Sequence, residues 1–192
     1  ACRSLKGSVN LWGNHSSFNT SSNLYSIEFP YKVHDIFNTY HDAVLLVDKG
    51  IKTVSSTVGH NLMNNHPFAD KRFQIAQDNI DKLSAILKNG DTNEFVKLVE
   101  DEALMLHGLM MTSDPSYILI KSKTLQIIDS IREFRSKNNI PVCFTLDAGA
   151  NVHVLFPDRY SDRVYDFIER NLKIHCENNS YIRDCVGFGA KQ

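Results

Sequence analysis

No part of this sequence is concentrated enough in one residue type to name a class by composition alone. Cysteine is scarce: Cys2, Cys143, Cys176 and Cys185 are scattered through 192 residues, with no Cys-x-x-Cys pair. No histidine stands at finger-like spacing from two of them, which argues against zinc and leaves each thiol as a small buried apolar side chain. Four scattered thiols without a secretory signal point to a reducing compartment, so the expected location is cytoplasmic. The three Asn-x-Ser/Thr sequons carry no meaning there. No apolar run approaches the roughly 20 residues that a membrane span needs, so no membrane partner is expected. Lys plus Arg number 21 and Asp plus Glu 22, for a net charge of −1. That balance excludes both a strongly basic nucleic-acid binder and an acidic disordered tail. No Gly-x-x-x-x-Gly-Lys phosphate loop occurs either.

What is present is an ordinary globular pattern, 42% apolar and 22% charged, long enough to bury a core. Residues 1–40 differ from the rest. Val9 and Leu11, then Tyr25, Ile27 and Phe29, alternate in short strand-like runs around a Ser- and Asn-rich loop from Gly13 to Asn23. This part lacks the apolar mass to fold alone and reads as the end of a domain whose beginning lies outside the chain. Residues 41–192 carry stronger signals. Ala43 to Val47 is a continuous apolar run stopped by Asp48-Lys49-Gly50, a buried strand. Phe73, Ala76, Ile80, Leu83 and Leu87 mark a helix ended by Asn89-Gly90, and Asp91 with Glu94 caps the next, which carries Val96, Val99, Ala103, Leu106 and Met110. A third helix begins near Ser122 and stops at Asn138-Asn139. Strands at Val142–Leu146 and Val152–Phe156 are joined by a short Gly-containing link, which favours an antiparallel hairpin. A helix capped by Ser161 and a weaker strand from Tyr181 to Val186 complete the order. The expected class is α+β, a ferredoxin-like antiparallel sheet with helices on one face and extra helices inserted.

Two segments could carry chemistry. Asp147 follows an apolar strand and precedes Ala148-Gly149-Ala150, small residues that let a ligand approach the backbone. Such a carboxylate can act as a base or hold a hydroxyl, or it can simply satisfy turn amides. Arg3, between Cys2 and Ser4, suits two-pronged binding of a carboxylate or phosphate, or is a plain surface arginine. His107 and His153 read as packed or surface residues.

Taken in order, these segments resemble mevalonate diphosphate decarboxylase, of the GHMP small-molecule kinase superfamily. Ala1-Cys2-Arg3-Ser4-Leu5, Gly7 and Trp12 are similar to the latter half of its Ser-Gly-Ser-Ala-Cys-Arg-Ser segment and to the Gly-containing stretch and Trp after it. Val54 to Gly59, His107 and Pro115-Ser116-Tyr117 match further stretches. Leu146 to Asn151 matches Phe-Asp-Ala-Gly-Pro-Asn, with Ala150 in place of Pro, and Gly187-Phe188-Gly189 comes after the closing strand. The resemblance implies ATP-dependent phosphorylation and decarboxylation of mevalonate 5-diphosphate to isopentenyl diphosphate, with ATP and Mg2+ required. It implies that Asp147 contacts the substrate hydroxyl and that Arg3 holds its carboxylate, with Ala1, Cys2 and Ser4 beside it. Asn64 and His66, where the family has Thr, Ser or Arg facing the diphosphate, would donate hydrogen bonds to phosphate, but the positive charge is missing. The phosphorylation state of the substrate therefore stays open. The family's ATP-phosphate loop has no counterpart in this chain, so the chain reads as a carboxy-terminal portion and, alone, as inactive. Its expected partner is the small-molecule substrate, and its expected assembly a homodimer. Two other readings stand beside this one: a related kinase without decarboxylation, and a non-catalytic ferredoxin-like binding module.

Overall fold

A computed structural model describes residues 9–50 and 66–187. The elements are β1 (Asn10–Trp12), β2 (Ser26–Glu28), β3 (Tyr40–Leu45), α1 (Ala69–Asn89), α2 (Thr92–Met111), α3 (Ser122–Asn138), β4 (Cys143–Leu146), β5 (Val152–Pro157), α4 (Ser161–Phe167) and β6 (Tyr181–Cys185). Strands β1 and β2 form a separate antiparallel ribbon, and the other four form a sheet ordered β4-β5-β3-β6. Every pairing is antiparallel.

The helix boundaries follow local chemistry. Gly90, at φ 79, closes α1 by donating its N–H to the carbonyl of Ile86. A side chain would be strained at that φ, and its Cβ would lie 2.7 Å from the His34 ring. Asp91 then caps α2, its carboxylate accepting from the amides of Asn93 and Glu94. Asn139, at φ 52, ends α3. Ser161 is the first residue of α4 rather than a cap, because no side chain caps that helix. Beyond Phe167 the chain widens into a π turn through Leu172.

Alternation divides the sheet into two faces. Ala43 and Leu45 of β3, Phe144 and Leu146 of β4, and Val152, Val154 and Phe156 of β5 are buried against Ile127 and Ile131 of α3 and Val164 and Phe167 of α4. Phe134 stacks on Phe167 with ring centroids 4.0 Å apart, which joins α3 to α4. The opposite face is covered at one end only. There Phe37, Tyr40, Ile86 and Leu87 are buried, with Phe95, Leu155 and Val186 packed against them. The β3 run is thus not buried on both sides as its sequence suggested: it begins at Tyr40, and Asp42 and Val44 point to the half-buried second face.

Helix α2 lies along β4, the edge strand of the sheet, which protects that edge from pairing with another chain. Buried Glu100 fixes it there, accepting from both guanidinium nitrogens of Arg135 at 2.6 and 3.1 Å. One of those nitrogens also donates to the carbonyl of Val142, 2.8 Å away, just before β4. Cys143 and Cys176 are buried as expected, but Cys185 is exposed. Burial pushes the Cys143 thiol well up, so it is an inert core group rather than a nucleophile.

Phe144 has no exposed surface. Phe144→Ala should destabilise the chain by about 3–5 kcal/mol, read as a fall in the urea midpoint at unchanged slope.

Candidate functional site

The β4–β5 hairpin presents its connection, residues 147–151, at the end of the sheet away from the Phe37–Tyr40 cluster. Three contacts hold that loop. The Nε2–H of buried His107, on α2, donates to the backbone oxygen of Asp147 at 3.2 Å. The Thr124 hydroxyl, wholly buried in the first turn of α3, donates to the carbonyl of Ala150 at 2.8 Å and accepts from the Lys121 amide at 3.1 Å. The Asn151 side-chain oxygen accepts from the Asp48 amide at 3.0 Å. Burial holds the His107 imidazole below its ordinary pKa of 6.5, so the ring is a neutral donor at neutral pH.

The Asp147 carboxylate, by contrast, is exposed and makes no hydrogen bond to any described residue. A rigid backbone with an unspent carboxylate is what a general base or a hydroxyl-orienting group requires. Beside the loop lies a cavity of about 420 Å³. Ala148, Gly149 and Ala150 line it on one side, and Ile118 and Lys121 on another. The Lys121 ammonium pairs with Asp48, whose carboxyl is held below its usual range by that hydrogen bond and by the Gly50 amide. Small side chains leave the cavity open along the loop that follows Asp147.

A second pair stands on the same sheet face. The His153 Nδ1 lies 2.8 Å from one oxygen of Asp42 and 3.1 Å from the other. That hydrogen bond raises the imidazole's protonation midpoint against the opposing pull of burial, and the negative charges of Asp42 and Asp147 add to the rise.

Residue by residue, Asp147 sits at a strand end as the sequence suggested. That strand, β4, is at the edge of the sheet and not at its centre. His66 is buried, its Nε2 3.1 Å from the Thr112 hydroxyl and its Nδ1 accepting from the Phe68 amide. Both ring nitrogens are therefore occupied, one before α1 and one after α2. Ala1, Cys2, Arg3, Ser4 and Asn64 lie outside the described residues, as do the Val54–Gly59 stretch and Phe188-Gly189. His107 and His153, read from sequence as bystanders, both adjoin Asp147. Alternation could have flagged His153, since a tight hairpin puts it on the face of Thr145 and Asp147. Nothing local marks His107. Among the described residues no three His, Cys, Asp or Glu side chains meet to hold a metal ion, so these residues alone do not fit Mg2+. No helix among them is long and apolar enough to cross a membrane.

Residues 43–187 match the family model of the mevalonate 5-diphosphate decarboxylase C-terminal domain. The chain belongs to this family. A phosphomevalonate decarboxylase of Haloferax volcanii is 27% identical over 89 residues, 46% of this chain and 28% of that protein. The structure of the mevalonate diphosphate decarboxylase from Enterococcus faecalis superposes with a TM-score of 0.80 at 22% identity, over 98% of this chain and 54% of that one. A structure of MDDEF in complex with MVAPP, AMPPCP and magnesium superposes at 0.81 with 23% identity, over 98% of this chain and 55% of that one. These two likenesses establish the fold. The chain spans about half the length of those solved structures and less of the curated relative.

Two stability measurements test the geometry. Thr124→Val keeps the shape but strands a buried carbonyl and an amide, at a cost of about 1–3 kcal/mol, whereas Thr124→Ser should cost less. The His153 midpoint is higher in the folded chain than the ordinary 6.5. Its pairing with Asp42 therefore contributes fully below that value and fades as pH rises through the folded midpoint. Asp42→Asn should accordingly destabilise by about 0.5–1 kcal/mol more near pH 5.5 than near pH 9, measured by urea unfolding at both.

Proposed function

We propose that this chain is the carboxy-terminal part of a cytoplasmic, ATP-dependent decarboxylase of mevalonate 5-diphosphate, acting in isoprenoid synthesis. The observation that carries the reading is the Asp147 loop. A family match runs through it, two elements clamp its backbone, its carboxylate is exposed, and a cavity opens along the small residues that follow. In this reading Asp147 accepts a hydrogen bond from the substrate's tertiary hydroxyl and aligns the oxygen for attack on the terminal phosphoryl group of ATP. Phosphorylation turns that hydroxyl into a leaving group. Phosphate then departs as the adjacent carboxylate loses carbon dioxide, and the electron pair of the broken carbon–carbon bond becomes the double bond of isopentenyl diphosphate. Arg3 would hold the carboxylate in place, its planar fork matching both oxygens. Residues 1–40 would close a preceding domain that supplies the ATP-phosphate loop and, with ATP, the Mg2+ site. A homodimer is the proposed assembly.

A second reading concerns the substrate. The curated relative acts, by name, on phosphomevalonate, and the stretch Asn64-Asn65-His66-Pro67 lacks a positive side chain for a second phosphate. Mevalonate 5-phosphate is therefore the alternative substrate.

Offering mevalonate, its 5-phosphate and its 5-diphosphate side by side to an ATP-binding protein that contains this chain decides between them. Carbon dioxide and ADP should appear in equal amounts with one of the two phosphate esters. ADP without carbon dioxide would make the protein a kinase, and no consumption of any of the three would remove the mevalonate assignment. In the active protein Asp147→Asn should lower kcat by roughly 10²- to 10⁴-fold with little change in KM. The 192 residues alone should show no ATP turnover.

A further inference from the structure

The second sheet face carries a diagonal of titratable groups that the proposed chemistry does not use. The register pairs Thr145 of β4 with His153 of β5, and His153 with Val44 of β3. Asp42 lies two residues from Val44 on β3, and Asp147 two residues from Thr145, just past the end of β4. Asp42 and His153 thus share one face of adjacent strands, and Asp147 follows one residue beyond the end of β4, next along the same diagonal. Diagonal neighbours in an antiparallel sheet stand about 7–8 Å apart, close enough for charge to couple at a half-exposed surface.

His153 is fixed by one end only. Its Nδ1 is spent on Asp42, and its Nε2 makes no hydrogen bond to any described residue. The charged groups facing it are Asp42 from β3 and Asp147 from the loop after β4, with Asp184 of β6 one strand further, paired with Asp42. His107 of α2 reaches only the backbone oxygen of Asp147.

We propose that His153, anchored by Asp42, is a positioning residue for Asp147: its imidazolium holds the Asp147 carboxylate on the open sheet face, oriented toward the substrate hydroxyl. The role rests on the functional reading above. It acts through Asp147, and the ring itself touches no reacting atom. It also offsets one of the carboxylates on a face that must receive an anionic substrate.

The coupling is tested in this chain without any turnover. The His153 ring signals are followed by NMR against pH in the wild type, Asp147→Asn and Asp42→Asn. Removing the Asp147 charge should lower the His153 midpoint by about half a pH unit, and removing that of Asp42 by more. An unchanged midpoint in Asp147→Asn overturns the proposal. In a protein that turns over a mevalonate phosphate ester, His153→Gln should lower kcat about ten- to a hundredfold with KM nearly constant. His153→Lys, which restores a positive charge, should recover part of the loss. The wild-type fall in kcat as pH rises through the His153 midpoint should be missing from His153→Gln. Equal losses in both variants with an unaltered pH profile would also overturn it. If the wild type consumes no such ester, the functional reading fails by itself, and the NMR titration still decides the coupling.

Discussion

The strict two-residue alternation of β3, β4 and β5 is the constraint on which the rest depends. Pairing Phe144 with Val154 and Ala43 with Val154 sends Ala43, Leu45, Phe144, Leu146, Val152, Val154 and Phe156 to one face, the main core. The same register sends Asp42, Thr145 and His153 to the other, with Asp147 following just past the end of β4. A slip of one residue in either ladder would expose the core and bury the carboxylates, both at once. Hydrophobic burial on one face therefore enforces the arrangement of polar groups on the other, with no separate interaction needed to assemble them.

That division also sets where the protein is rigid. The backbone around Asp147 is tied to α2 through His107 and to α3 through Thr124, and both helices are locked to each other and to the start of β4 by Glu100 and Arg135. Glu100 is a buried carboxylate, and such a group is tolerable only when its partners surround it. Arg135 meets it with two nitrogens, and Arg132 approaches at 3.5 Å. The result is a loop whose main chain is immobilised from two sides while its side chain stays exposed. The small residues Ala148 to Ala150 leave space for a ligand beside it.

The family relation and the geometry bear on different questions. The family assigns the fold and names a reaction class. The geometry shows what stands around the Asp147 loop among the described residues: one exposed carboxylate, a neutral buried histidine behind its backbone, and a histidine held by Asp42. His66, whose sequence position suggested phosphate contact, has its ring nitrogens on the Phe68 amide before α1 and on the Thr112 hydroxyl after α2.

The sequence by itself determined the local structure. Apolar spacing set the helices and strands, Gly90 and Asn139 stopped two helices, Asp91 started another, and Asp147 stood out as a carboxylate among small residues at a strand end. These are short-range effects, decided by backbone sterics and by hydrogen bonds within a few positions. Only the tertiary structure decided that β4 lies at the sheet edge, that half of the second face remains open, and that His107, Thr124 and His153 converge on the Asp147 loop. His107 and Asp147 stand 40 positions apart, Thr124 and Ala150 26, and His153 is anchored by Asp42, 111 positions away. Nothing in the spacing of side chains along one segment encodes such a meeting, because it is fixed by how separate apolar faces pack together.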